Sequence, residues 1–177
     1  MKDEASIVLV GMMGAGKSTV GRLLARRLKR RFHDTDTEIE HRCGVRIAVI
    51  FDIEGEAGFR ARETQVIAEL CAQRGVVLAT GGGAVLAEDN RRRLAACGAV
   101  VYLRAQPEDL YERVRQDRNR PLLAGDDPLG RLRELYRERD PLYREVADVV
   151  IDTGRQSVQV LARALLEQLG TLWKRSA

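Results

Sequence analysis

A phosphate-binding pattern stands near the start of the 177-residue chain. Residues 11–19 read GMMGAGKST, which fits GxxxxGK followed by Ser or Thr, and they lie between the apolar run SIVLV and the amphipathic run VGRLLARRL. In a strand–loop–helix setting, the glycines let backbone N–H groups point at phosphate oxygens, Lys17 reaches the β- and γ-phosphates and the Ser18 hydroxyl can ligate Mg²⁺. An incidental glycine turn is the simpler alternative, but this context favours a site for the triphosphate of a purine nucleotide. The residues expected to bind the phosphates are Gly14, Ala15, Gly16, Lys17, Ser18 and Thr19.

Two carboxylates follow the next short apolar run, in the stretch FHDTD. Asp34 and Asp36 lie two residues apart at the end of a predicted strand, so we expect both side chains to leave on one side, at the sheet edge where open α/β sheets bind ligands. One carboxylate can serve Mg²⁺ directly or through water, and the other can accept a proton from an attacking hydroxyl. The alternative is a helix cap, because DTDTE could also begin a helix at Thr37. Capping and catalysis are compatible at Asp34.

The elements that must position these groups follow an alternating order. Short apolar or β-branched runs alternate with longer amphipathic runs, which is typical of an α/β fold. The short runs are continuously apolar, as strands buried on both faces should be, so a parallel sheet is predicted. Helical spacing of apolar residues predicts helices around 20–28, 66–71 and 132–136, and the last segment is expected to form a helix with a frayed tail. The predicted strands are 7–10, 31–35, 76–79, 100–103 and 149–152.

Two stretches fit this alternation poorly and are expected to be irregular. They cover residues 36–63 and 115–127, the second rich in Arg, Asp, Gly and Pro. Long irregular insertions in a compact domain are more often functional than idle. We therefore expect one domain over 1–177, with 36–63 as a substrate-binding subdomain and 115–127 as a lid.

Composition limits the functional classes. The chain has 30 Lys and Arg against 26 Asp and Glu, a net charge of +4, and the two signs are interleaved as on solvated helix faces rather than clustered for nucleic acid. No apolar run is long enough to span a membrane and no signal-peptide pattern is present, so a cytoplasmic location is expected. Cys43, Cys71 and Cys97 are widely spaced and form no CxxC pair, so they are predicted to be reduced packing residues.

Six motifs occur in the order expected for one enzyme family. From about residue 6 to 170 the chain resembles shikimate kinase, on the motifs GMMGAGKST, FHDTD, FDIEGEAGFRARE, VVLATGGGAV, RNRPLL and RDPLYREVAD. The resemblance implies the three-layer α/β fold of the nucleoside monophosphate kinases, a P-loop kinase fold whose five-stranded parallel sheet has the order 2-3-1-4-5. It also implies a substrate-binding subdomain and a lid, which coincide with the two irregular stretches.

The resemblance assigns roles to the acceptor site. It implies that Asp34 assists Mg²⁺, and that Asp36 binds the shikimate hydroxyls and serves as the base. It places Arg60 and Arg144 on the shikimate carboxylate, which suits the planar fork of arginine. Glu63 follows Arg60 at i+3 and could orient it. Three glycines are expected to line the substrate and the γ-phosphate, where any Cβ would intrude: Gly81, Gly82 and Gly83.

The resemblance also assigns arginines to the nucleotide. Arg120 of the predicted lid would fold over the β- and γ-phosphates and neutralise charge during transfer. Arg113 and Arg155 would flank the adenine ring.

The implied activity is transfer of the γ-phosphate of ATP to the 3-hydroxyl of shikimate. Mg²⁺ is the implied cofactor and ATP the co-substrate, and the protein is expected to act as a monomer without a nucleic-acid or membrane partner. The alternatives are a kinase of another small hydroxy acid such as gluconate, a nucleoside monophosphate kinase, and a nucleotide-binding module without turnover. The two aspartates and the lid arginine argue against the last, because a pure binder needs no proton acceptor.

Overall fold

The centre of the fold is a parallel β-sheet. The computed structural model describes residues 5–115, 123–154 and 156–175. The sheet has five strands in the order β2-β3-β1-β4-β5, which confirms both the predicted strands and the implied topology. The central strand β1 has no exposed residue, because helices cover both faces of the sheet. The strands are β1 (Ser6–Val10), β2 (Phe32–Asp34), β3 (Val77–Ala79), β4 (Gly98–Arg104) and β5 (Val149–Asp152).

Seven α-helices are present in the described ranges, and they form two groups. The first and last, α1 and α7, pack against each other, whereas α3 and α6 both contact α4. The predicted final helix is confirmed as α7, which continues to Arg175, and Arg30 lies over the Trp173 ring, 5.6 Å from its centroid. The helices are α1 (Lys17–Leu28), α2 (Thr35–Cys43), α3 (Ile47–Cys71), α4 (Glu88–Cys97), α5 (Pro107–Val114), α6 (Pro128–Val146) and α7 (Val158–Arg175), with a 3₁₀ turn at Ala84–Leu86.

The expectation that 36–63 is irregular is wrong. The segment is helical almost throughout. Its apolar residues do not form one stripe at the helical period, because several of them, such as Val45, Val49 and Ile53, are exposed. Left-handed glycines divide it: Gly44 (φ 69°) ends α2 and Gly55 (φ 71°) interrupts α3. The role of 36–63 as a substrate-binding subdomain is taken up below as a proposal.

The carboxyl ends of β1, β2 and β3 meet at one edge of the sheet. The parallel register places Asp34 of β2 beside Ala79 of β3, and Ala79 beside Leu9 of β1. The loop 11–16, the start of α2 and the loop 80–83 therefore converge. Every predicted site residue that precedes position 84, apart from Arg60 and Glu63 of α3, belongs to these segments or to the first turn of α1.

The predicted lid is described only in part. Residues 116–122, which include Arg120, lie outside the described residues, while Arg115 is the C-cap of α5 and Leu123 packs against the core. Among the helices that the structure describes, none combines the length and the apolar composition that a membrane crossing requires.

Candidate active site

The loop between β1 and α1 encloses the side chain of Lys17. Gly14 (φ 80°) and Gly16 (φ 94°) adopt left-handed conformations that residues with a Cβ rarely reach, and Gly16 is the N-cap of α1. The Lys17 ammonium donates to the carbonyl oxygens of Gly11 (2.7 Å) and Met12 (2.8 Å). This buried cation and the helix N-terminus give the loop a positive potential suited to phosphate.

Ser18 and Asp34 are brought together across the loop. The Ser18 hydroxyl donates a hydrogen bond to Asp34 Oδ2. The other oxygen, Oδ1, accepts from the backbone N–H groups of Asp36 (3.0 Å) and Thr37 (3.1 Å). Asp34 is thus the N-cap of α2, which begins at Thr35 rather than at Thr37. The cap alternative is confirmed, and it leaves Oδ2 facing the phosphate-binding loop.

Asp36 lies in the first turn of α2 in an environment that favours its neutral form. Its Oδ1 is buried and has no hydrogen-bond partner in the described part of the chain. Burial, followed by the charges of Glu63 and Asp34, raises the pKa of Asp36 from 3.8 to about 7, although Lys17 and Arg60 act in the opposite direction. A carboxyl group with a pKa near neutrality is suited to accept and release a proton.

Gly81 leaves room for two carboxylates. A Cβ at this position would lie 2.7 Å from Asp36 Oδ1 and 2.7 Å from Glu63 Oε1, closer than real Cβ contacts occur. The Gly81 N–H donates to the Thr35 hydroxyl (2.9 Å), which fixes the loop against the start of α2. Any side chain at Gly81 would displace one of the two acids.

The next two glycines each lie against an arginine. A Cβ at Gly83 would overlap the guanidinium of Arg60, and a Cβ at Gly82 would lie 3.4 Å from Arg139 Nη1. The Tyr143 hydroxyl donates to the Gly82 carbonyl, which ties the glycine loop to α6. The glycine loop therefore joins α2, α3 and α6 at one place.

Arg60 and Glu63 form the ion pair that their i, i+3 spacing predicts. Arg60 Nη1 donates to Glu63 Oε2 at 2.8 Å, and the Glu63 side chain is 0% exposed. Burial raises the pKa of Glu63, while the charge of Arg60 and its hydrogen bond lower it. Because Glu63 holds one terminal nitrogen of the guanidinium, the ion pair fixes the direction of Arg60 beside Gly83.

Arg144 is not brought to this cluster. Its Nε donates to Asp140 at 2.8 Å and its side chain is 45% exposed. The arginine of α6 that reaches the glycine loop is Arg139, which is 2% exposed and whose Nε and Nη1 are buried without a hydrogen-bond partner in the described residues. Positions five residues apart on an α-helix point about 140° from each other, so only one of the two can face the loop.

Two cavities are lined by the residues predicted to bind the nucleotide and by several of the acceptor-site residues. The first encloses about 310 Å³ between the phosphate-binding loop and the aspartates, and the second about 340 Å³ between α1 and the segment after β5. Arg113 lines the second cavity and bonds to the carbonyls of Gly14 (3.1 Å) and Thr153 (2.9 Å), whereas Arg155 lies outside the described residues. The first cavity is lined by Gly14, Gly16, Lys17, Ser18, Asp34, Asp36, Gly81 and Gly82 among others, and the second by Ala15 and Thr19 among others.

The strand order, the phosphate-binding loop and the carboxylate beside it define a P-loop kinase. A family model described as shikimate kinase matches residues 13–170. The chain is 59% identical over 172 residues to a shikimate kinase from Thiobacillus denitrificans, which covers 97% of this chain and 94% of that protein. It is 62% identical over 166 residues to a shikimate kinase from Burkholderia lata, covering 94% and 90% respectively. The chain belongs to the shikimate kinase family.

A solved structure agrees with this assignment. The shikimate kinase from Acinetobacter baumannii, determined in complex with shikimate, superposes with a TM-score of 0.93 at 48% identity, covering 94% of this chain and 93% of that one. The protein is an ATP-dependent phosphotransferase with shikimate kinase activity, as the resemblance of the motifs implied.

Proposed function

We propose that this site transfers the γ-phosphate of MgATP to the 3-hydroxyl of shikimate, and that Arg60 and Arg139 hold the carboxylate of the acceptor. The observation that carries the proposal is the glycine loop, because it is open on the side of the phosphate-binding loop and is bounded by two carboxylates and two guanidinium groups. A small polyhydroxylated acid fits such a boundary: the arginines suit its carboxylate and the aspartate its hydroxyls. A nucleobase has no carboxylate with which the two arginines could pair.

Arg139 takes the role that the resemblance gave to Arg144. Burying a guanidinium whose N–H groups lack acceptors is costly, and a ligand carboxylate in the site would supply acceptors for Nε and Nη1. Arg60 also has a buried Nε without a partner in the described residues. The guanidinium groups of Arg60 and Arg139, on either side of the glycine loop, would both bind the carboxylate of shikimate and so set the orientation of its ring.

Asp36 is the proposed base. Its Oδ1 has no donor among the residues that the structure describes, and its pKa of about 7 suits the acceptance of a proton at neutral pH. Lys17 is close enough to lower that pKa, so the arrival of the nucleotide, which draws the ammonium toward phosphate, would favour proton uptake by Asp36. Lys17 would exchange its two carbonyl acceptors for phosphate oxygens.

Ser18 and Asp34 are the proposed Mg²⁺ residues. Their oxygens already meet in a hydrogen bond, and a hydroxyl and one carboxylate are the kind of hard, sparse ligand set with which Mg²⁺ keeps several waters and phosphate oxygens. In the described ranges, no group of three or more Asp, Glu, His or Cys side chains is arranged so that it could hold a metal ion. When bound, Mg²⁺ neutralises charge on the transferring phosphate.

The remaining assignments belong to the same proposal. The segment 36–63 is the substrate-binding subdomain, since it supplies Asp36, Arg60 and Glu63 to the acceptor site. The segment 115–127 is the lid that carries Arg120, and the cavity beside Arg113 receives the adenine ring together with Arg155. A monomer suffices, because all of the proposed groups come from one chain.

The direct test is release of ADP, measured by a coupled assay with MgATP and a panel of acceptors. We expect rapid turnover with shikimate and background turnover with gluconate and nucleoside monophosphates. Nuclear magnetic resonance of the product should show phosphate on the 3-oxygen. Phosphate on another oxygen, or faster turnover with a different acceptor, would refute the proposed orientation.

A further inference from the structure

Two of the three cysteines lie against each other. Cys71 is the last residue of α3 and Cys97 the last residue of α4. These two helices pack against each other, both cysteines line one groove, and each thiol is close enough to shift the pKa of the other. Both are free and half-buried. The described residues contain no third metal-binding side chain beside them, so the pair is not a site for a structural zinc ion.

The pair opens into a surface groove at the sheet edge opposite the active site. The groove encloses about 620 Å³ and is lined by Cys71, Cys97, Gln73 and Arg74 among others. Gly98, which starts β4 beside the first residue of β1, also lines it. Thiol chemistry in this groove would therefore take place at the amino ends of the strands, away from the phosphate-binding loop.

A second groove with a basic lining adjoins the first. It encloses about 740 Å³, shares Gln73 and Arg74 with the cysteine groove, and is also lined by Lys29 and Arg31. Lys29 and Arg31 are exposed. Positive charges around a narrow groove attract small anions and raise their local concentration. A reactant with carboxylate groups would thus be drawn to the thiols.

The two thiols differ in their readiness to ionise. The hydrogen bond from Cys71 lowers the pKa of Cys97, and a hydrogen bond with Ser6 acts in the same direction, although burial opposes both. The hydrogen bond to Cys97 and burial raise the pKa of Cys71. Because both cysteines end helices, where the partial negative charge disfavours a thiolate, we expect exchange to be slow, over minutes to hours.

We propose that Cys71 and Cys97 form a thiol–disulfide exchange site for anionic low-molecular-weight disulfides, with Cys97 as the attacking thiol and Cys71 as the resolving thiol. The thiolate of Cys97 attacks one sulfur of the small disulfide, forms a mixed disulfide and releases one thiolate. Cys71 then attacks the Cys97 sulfur, forms the Cys71–Cys97 disulfide and releases the second thiolate. Two protein thiols are oxidised, one small disulfide is reduced to two thiols, and the two protein protons end on those thiols.

The experiment uses glutathione disulfide as the anionic probe and cystamine as the cationic one. The fully reduced protein is incubated with either probe at low salt, quenched with acid at intervals and analysed by intact mass and peptide mapping. We expect loss of two hydrogen atoms and a cross-linked peptide pair containing Cys71 and Cys97. Cys43, which is also half-buried and free, is the internal control and should stay reduced over the same period.

Two cysteine variants test the order of the steps. Cys71→Ser should accumulate a mixed disulfide on Cys97, because no resolving thiol is present. Cys97→Ser should leave Cys71 reduced. A mixed disulfide on Cys71 in the second variant, with none on Cys97 in the first, would overturn the assignment of the attacking thiol.

A charge variant tests the preference for anions. Lys29→Asn together with Arg31→Gln should slow the reaction with glutathione disulfide by about threefold, while the reaction with cystamine stays the same or becomes faster. Asn is chosen at position 29 because Lys29 has a positive φ of 55°, which Asn tolerates. Comparing each probe with itself removes the difference in their intrinsic reactivity. Equal slowing of both probes, or modification of Cys43 as fast as Cys97 in the wild type, would overturn the proposal.

Discussion

Replacing the proposed base should stabilise the protein while it abolishes turnover. Asp36 is half-buried, stands beside Glu63 and Asp34, and has no donor to Oδ1 in the described part of the chain, so its ionised form is disfavoured in the folded state. Asp36→Asn keeps the size of the side chain and removes the charge. Active-site residues commonly reduce the stability of the folded protein because the environment that catalysis needs disfavours them, so replacing them often stabilises the protein and removes its activity.

The size of the stability difference follows from the change in the pKa of Asp36, which is ordinarily 3.8 and rises to about 7 in the folded protein. Below pH 3.8 the carboxyl is neutral in both states. As the pH rises toward 7 the unfolded chain ionises and the folded chain does not, so the wild type loses stability across this window, and the loss is complete above it. At about 1.4 kcal/mol per pKa unit the full loss would be about 4 kcal/mol, which partial exposure reduces to about 2 kcal/mol.

Urea unfolding of both proteins without ligands measures this difference. We expect Asp36→Asn to exceed the wild type by about 2 kcal/mol at pH 8 and by about a third of that at pH 5. The same change at the exposed Asp52 of α3 is the control, and it should alter the free energy of unfolding by less than about 0.5 kcal/mol. An Asp36→Asn protein that is less stable than the wild type at pH 8, or whose advantage does not change with pH, would refute the reasoning.

Three further variants test separate parts of the site. Lys17→Met should remain folded, with a melting temperature a few degrees lower because two carbonyls lose their donor, and should lose at least about a thousandfold in kcat in the ADP-release assay. Asp34→Asn should keep the cap of α2 but raise the Mg²⁺ concentration for half-maximal rate by about threefold or more in a magnesium titration, and an unchanged requirement would argue against Asp34 near the cation. Gly81→Ala should raise the KM for shikimate more than the KM for ATP, because the new Cβ collides with Asp36 and Glu63. Steady-state kinetics in which the KM for ATP rises more would contradict the assignment of this loop to the shikimate site.

The central strands β1, β3 and β4 could be predicted from continuous apolar runs, because they are buried on both faces, whereas the edge strands β2 and β5 are only partly buried. The predicted bounds of all five strands lie within a few residues of the observed ones, and β5 at Val149–Asp152 agrees in both bounds. The helices of 36–63 could not be found in the same way. Their exposed faces carry charges, as in the ion pairs of Arg42 with Glu38 and Glu69, and their boundaries depend on left-handed glycines rather than on apolar spacing.

The phosphate-binding loop was predictable because one short motif contains all of its groups. The acceptor site was harder, because its members come from α2, α3, the glycine loop and α6. The stretch RDPLYR holds two arginines, and the choice between Arg139 and Arg144 depends on how α6 is rotated about its axis. The burial of Arg139 beside Gly82 and the hydrogen bond from Arg144 to Asp140 become visible only once the helix is packed.

The central claim is that the acceptor carboxylate is held between Arg60 and Arg139, and one pair of variants tests it most directly. Arg139→Gln and Arg144→Gln carry the same change on the same helix, and only the first alters the glycine loop. Steady-state kinetics with varied shikimate should show a KM raised by about 10–100-fold in Arg139→Gln, as expected for loss of a charged hydrogen-bonding pair, and a KM within about twofold of the wild type in Arg144→Gln. The KM for ATP should change little in either variant. A large rise in the shikimate KM of Arg144→Gln, with Arg139→Gln close to the wild type, would contradict the account.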